Sequence, residues 1–164
     1  IYLDSDVEVL KPFDDLLKYP YFVCKENSPQ GIEAAIIGAE KNTPWIVECL
    51  NYYKGKHFID ENGKAQIAVL PSILRKCILN KFEMKHIISP SQFIFDEKIV
   101  CVLPTDYFSP KNYVTKKISI TENSYSIHHF AGTWQPLWKR IILKVWVPFS
   151  AKYPILAQRI KKHF

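Results

Sequence analysis

Apolar and polar positions alternate along this chain in two rhythms. Short apolar runs of strand length fall at 1–3, 21–24, 34–37, 93–95, 99–103 and 126–130. Helical spacing appears between them. Thr43 is placed to cap a helix with Pro44 in its first position. Trp45, Ile46, Cys49, Leu50 and Tyr53 form one stripe that ends near Gly55. A second helix is predicted over 71–79, with Ile73, Leu74, Cys77 and Ile78 on its apolar face. The stretch "HFIDENGKAQ" between the two reads as a polar loop. Strands mixed with helices predict an α/β fold.

Composition narrows this picture. The chain has 164 residues, 48% hydrophobic and 14% aromatic, enough for one domain with a sizeable core. No apolar run reaches the roughly 18 residues that a membrane span needs. Cys24, Cys49, Cys77 and Cys101 form no C-x-x-C pair and sit beside apolar residues, so buried reduced thiols are expected. The net charge of +6 is uneven. Residues 135–164 carry seven basic side chains and no Asp or Glu, which leaves −1 on residues 1–134. That distribution argues against a nucleic-acid-binding face and for a local anionic partner at the C-terminal end.

Candidate chemistry begins at "IYLDSDVEVL". On a strand, residues two apart face the same side, so Asp4 and Asp6 are expected to converge where the chain leaves the sheet. Two such carboxylates suit a hard divalent cation that takes phosphate oxygens as further ligands. Glu8 could join them or be solvated. The same D-x-D is also a common turn signal. A second chemistry starts from the same residues. Haloacid-dehalogenase-type phosphotransferases use the first Asp of such a motif, here Asp4, as nucleophile. Their usual Thr or Val is Glu8 here, and Asp14 and Asp15 come too early to supply their later acidic pair.

The second constellation is "SYSIHHFAGTW". On a strand, His128 and His129 point to opposite faces, so one of them at most reaches a given site. A neutral imidazole can complete a carboxylate metal site. Thr133 and Trp134 offer a hydroxyl and an indole N–H to phosphate oxygens. Packing roles are the alternative for each: a structural His in an aromatic-rich strand, and Trp134 against Trp138.

Together these stretches resemble the D-x-D sugar-binding glycosyltransferases of family 32, the capsular-polysaccharide and Och1-like mannosyltransferase relatives. "IYLDSDVEVLKPFDDLL" is similar to the family's central motif. "AAIIGAEKNTPWI" is similar to its following strand and helix start, "LPTDYFSP" to its Pro-x-x-x-Phe-x-Pro segment, and "SIHHFAGTW" to its closing motif, with Thr133 for the commoner Ser. Before the "IIGA" strand this chain reads Glu33-Ala34-Ala35, where the family often has an Asn.

The resemblance implies a GT-A-like mixed sheet flanked by helices, a nucleotide-sugar donor, Mn²⁺ or Mg²⁺, and retention of anomeric configuration. Asp4 and Asp6 would be the catalytic pair, with Asp4 on the donor's ribose or sugar. Asp6 and His129 would hold the metal. Asp4, His128, His129, Thr133 and Trp134 would hold the donor and its diphosphate. In this family, strands that cradle the nucleotide base precede the D-x-D strand, so the chain is expected to begin partway through that half. Besides the phosphotransferase, a non-catalytic carbohydrate- or partner-binding module is the alternative reading.

Two units follow: a catalytic portion over 1–134 and a basic amphipathic tail over 135–164. In the tail, Leu137, Trp138, Ile141, Ile142, Val145 and Trp146 recur at helical spacing. Pro148 is expected to break the pattern, which resumes with Ile155, Leu156 and Ile160 against Arg159, Lys161 and Lys162. Such a stripe either packs on the domain or lies in an anionic membrane surface. The second option suits a saccharide or lipid-linked acceptor. It implies a cytoplasmic protein peripheral at the inner face of the membrane, or a Golgi-lumenal one in a eukaryote.

Overall fold

The computed structural model describes residues 1–26, 31–65, 69–132 and 136–161. They form an α/β arrangement. β1 (Tyr2–Leu3) and β3 (Tyr21–Phe22) flank β4 (Ile36–Ala39), both antiparallel to it. β5 (Glu83–His86) runs parallel to β6 (Ile99–Val102). A parallel bridge between Cys24 and Leu103 joins the two groups. There Leu103 N–H donates to the Val23 carbonyl at 3.0 Å, and Lys25 N–H to the Leu103 carbonyl at 2.9 Å. A separate antiparallel ribbon pairs β2 (Val7–Val9) with β7 (Ser126–His128).

Period-two alternation sorts the core to the two faces of the main sheet. Tyr21, Val23, Val100 and Val102 face Trp45, Cys49, Ile73, Leu74, Cys77 and Ile78. Those six residues lie on α1 (Pro44–Tyr53) and α2 (Leu70–Lys81). Phe22, Cys24, Cys101 and Leu103 face the opposite way, into a cluster with Phe13, Leu16, Phe108 and Tyr125. Coverage of both faces explains why these strands read as continuous apolar runs rather than as apolar–polar alternation. All four cysteines are buried free thiols, as expected. Gly38 lies opposite Phe22 in the β3–β4 ladder, where a Cβ would come within 2.1 Å of the Phe22 ring.

Both expected helices are present. Pro44 opens α1, but the Thr43 hydroxyl donates to the Glu40 carbonyl at 2.8 Å rather than capping the helix. Gly55, at φ 73°, supplies the left-handed turn just beyond the end of α1. α2 is longer than its predicted core, and Lys81 at its end reaches Glu48 of α1 at 2.7 Å.

One expected strand fails for want of a pairing partner. Residues 93–95 form no strand. They follow a single 3₁₀ turn at Pro90–Gln92, and Ile94 N–H turns to Cys101 Sγ at 3.3 Å instead of to a ladder. Their rings pack instead, with Phe93 5.0 Å from Tyr21 and 5.1 Å from Tyr19. The apolar β1 is not interior among the described residues. It lies at the sheet edge with Ile1, Tyr2 and Leu3 exposed.

At the C-terminal end, α3 (Leu137–Lys152) is followed by α4 (Pro154–Lys161), with Tyr153 alone between them. Pro148 does not break the helix. α3 passes through it, and the break falls at Tyr153 (φ −130°, ψ 65°). A proline removes one intrahelical hydrogen bond. A row of neighbouring rings, Trp146–Phe149 at 5.7 Å and Phe149–Tyr153 at 5.5 Å, spans that turn. Among the described residues, no helix is long and apolar enough to cross a membrane.

Candidate metal centre

Asp4 and Asp6 lie in the connection between β1 and β2. Asp4 N–H donates to the Ala35 carbonyl of the neighbouring chain segment at 2.8 Å, and Val7 N–H closes a turn onto the Asp4 carbonyl at 3.1 Å. The two carboxylates therefore converge through a turn, not through the pleat of a strand.

β7 brings the third group. Its register sets His128 opposite Val7. Beyond it, His129 N–H donates to the Asp6 carbonyl at 3.0 Å. Phe130 then adopts a left-handed conformation (φ 53°), which L-residues rarely hold without surrounding constraint. This bend lets Ala131 N–H donate to Asp6 Oδ2 at 2.7 Å. One carboxylate oxygen of Asp6 is thus held by the backbone, while Oδ1 lies 3.6 Å from His128 Nε2.

One ligand atom each from Asp4, Asp6 and His128 lie within 4.8 Å of one another, and all three residues are half-buried. A divalent cation with bonds of about 2.1 Å sets neighbouring ligands roughly 3 Å apart and opposite ones roughly 4.2 Å apart. Small side-chain adjustments bring the trio into that range. Two carboxylates and an imidazole form a donor set of the kind that holds a divalent cation.

Behind His128 stands Glu33, 1% exposed. Its two carboxylate oxygens lie 3.2 and 3.3 Å from His128 Nδ1. Ala35 N–H donates to the Glu33 carboxylate at 2.9 Å. Burial alone would raise the pKa of Glu33, but the hydrogen bond and charge of His128, with the Ala35 amide, bring it below the ordinary carboxylate value. Burial would likewise lower the pKa of His128. The bond to Glu33 and the charges of Glu33, Asp6 and Asp4 outweigh burial and raise it. The Glu33 contact fixes the Nδ1 tautomer and aims Nε2 at the aspartates, as outer carboxylates do for ligating histidines. Phe130 packs on the imidazole with ring centroids 4.0 Å apart. Tyr2 donates its hydroxyl to Asp4 Oδ1, and that bond raises the tyrosine pKa ahead of burial and charge.

The two histidines do point apart, but His128, not His129, faces the aspartates. His129 Nε2 meets Glu8 Oε2 at 2.8 Å on the other side, and Lys111 Nζ lies 3.4 Å from its Nδ1. The pleat of the ribbon explains this. His129 and Glu8 share one face of the β2–β7 pair, and His128 lies on the other. Glu8 is therefore engaged by His129 rather than joining the aspartates. Thr133 and Trp134 lie outside the described residues.

Sequence reasoning passed over Glu33, Tyr2 and the Ala131 amide. Glu33 did leave a signal: a carboxylate inside the apolar run "GIEAAII" needs a buried partner. No family model, curated protein or solved structure matches the chain.

Proposed function

We propose that this chain belongs to a metal-dependent glycosyltransferase that moves a sugar from a nucleotide-sugar donor to a saccharide or lipid-linked acceptor in polysaccharide or glycan synthesis. The observation that carries this reading is the convergence of Asp4, Asp6 and His128, with His128 backed by the buried Glu33. It occurs within the two motifs that resemble family 32. Three protein donors leave a divalent cation free to take further oxygens from a ligand such as a diphosphate.

In this reading Asp6 and His128 bind the cation and Asp4 shares it or contacts the donor sugar. When bound, the cation would neutralise charge on the departing diphosphate. Ala131 N–H fixes the direction of Asp6, and Glu33 that of His128. By resemblance, Thr133 and Trp134 take the diphosphate oxygens, the electrostatic part of the catalysis. Retention of configuration and a place at a membrane face belong to the same reading.

Mn²⁺ binding to the chain, followed by electron paramagnetic resonance, tests the centre. Asp6→Asn and His128→Ala should each weaken binding at least tenfold, because each removes a ligand. His129→Ala should change it less than twofold. Unaltered affinity in His128→Ala would overturn the centre. Assay of the native protein with a panel of nucleotide sugars tests the reaction. Release of phosphate from phosphomonoesters through a trapped Asp4 aspartyl-phosphate would replace the reading with the phosphotransferase.

A further inference from the structure

An amphipathic helix in a globular protein normally turns its apolar stripe to the core. α3 and α4 do the reverse. Trp138, Ile141 and Val145 are 64%, 56% and 70% exposed, and Ile155 on α4 is 71% exposed. Leu137 and Ile142 continue the stripe, equally open. A contiguous exposed apolar face of this kind marks an interaction surface. The segment that carries it, 135–164, has seven basic residues and no acidic one. Lys144 and Lys152 are exposed on α3 itself.

We propose that the consecutive helices α3 and α4 dock on an anionic lipid surface. The charge decides the occupant. A second copy of this segment would bring like charge against it, whereas a bilayer with anionic headgroups meets both the apolar stripe and exposed Lys144 and Lys152. At sixteen residues α3 is about 24 Å long, too short and too charged to span a bilayer but well suited to lie in its interface. Trp138 is open for the headgroup boundary, where indole rings are favoured. These helices share no residue with the metal centre, so docking and catalysis can fail separately.

The test is co-sedimentation of the full chain with neutral phosphatidylcholine vesicles and with vesicles containing about one-third phosphatidylglycerol. Tryptophan quenching by brominated lipid serves as a second readout. Partitioning should rise at least tenfold with the anionic lipid and fall in high salt, since each basic residue near the surface contributes on the order of fivefold. The double change Ile141→Ser with Val145→Ser should reduce binding at least tenfold, and so should Lys144→Glu with Lys152→Glu. All four side chains are exposed, and unchanged Mn²⁺ affinity in both variants reports an intact fold. Protein that stays in the supernatant at low salt overturns the proposal. So does binding that ignores anionic lipid or either double change, or lipid-independent self-association abolished by the Ile141 and Val145 changes.

Discussion

The two ends of this molecule treat charge and apolar surface in opposite ways. Around Asp4, Asp6 and His128, charged groups are met by specific partners: Asp6 by a backbone amide, His128 by Glu33, Asp4 by the Tyr2 hydroxyl. The sheet nearby has apolar cover on both faces. In α3 and α4, Trp138, Ile141, Ile142, Val145 and Ile155 are exposed, in a segment with seven basic residues and no acidic one. The first arrangement gives each charged group a specific partner and gathers Asp4, Asp6 and His128 within reach of one small cation. The second leaves apolar side chains open in a basic segment, the arrangement behind the proposed docking on an anionic surface.

Identical chemistry in the two regions should therefore give unequal results. Trp45 is 2% exposed between α1 and the sheet, and Trp45→Ala should cost about 3–5 kcal/mol of stability in urea unfolding. Trp138→Ala, in the open stripe, should change stability by less than about 0.5 kcal/mol. Loss of more than about 2 kcal/mol at Trp138 would mean that the stripe is packed, and the contrast would collapse.

A finer effect is expected at Glu33. Glu33→Gln keeps the size of the side chain but removes the charge that orients His128. It should weaken Mn²⁺ binding about 10–100-fold. Glu33→Asp should recover part of that loss, which a merely space-filling role would not do. Equal affinities in all three proteins would remove Glu33 from the centre.

The smallest effect is a pH dependence of the metal-free protein. His128 has its folded pKa raised above 6.5, so its contribution to stability is complete below that value and is lost as pH rises through the folded pKa. Glu33 has its folded pKa lowered below 4.5, so its contribution is present above that value and is lost as pH falls through the folded pKa. Together they stabilise most between about pH 4.5 and 6.5. The urea midpoint should then rise on going from about pH 8 to about pH 6, and the rise should disappear in His128→Asn. Saturating Mn²⁺ should oppose the trend, because the cation competes with the proton on Nε2. A midpoint that does not change over this range would show that the His128–Glu33 contact contributes nothing to the fold.

The sequence by itself determined what depends on near neighbours. The stripe from Trp45 to Tyr53, with Pro44 ahead and Gly55 behind, specifies α1 because helical spacing and end chemistry act within a few residues. The apolar run ending at Leu103 reads as a strand for the same local reason, and the charge asymmetry of 135–164 needs no structure at all. Pairing and facing are not local. "EMKH" over β5 carries no strand signature and becomes one because β6 runs beside it, whereas the aromatic 93–95 has the propensity but no neighbour. Pro148 carries a helix-end signal in the sequence, yet α3 runs through it, because only the surroundings decide whether one lost hydrogen bond stops a helix. Whether an amphipathic stripe turns inward is likewise decided by the presence or absence of a surface to bury it. The choice of His128 over His129 rests on the β2–β7 register, and Glu33 meets His128 across 95 positions of chain. Spacing in sequence can place two aspartates side by side. Only the pairing of distant strands can set a buried glutamate behind the histidine that faces them.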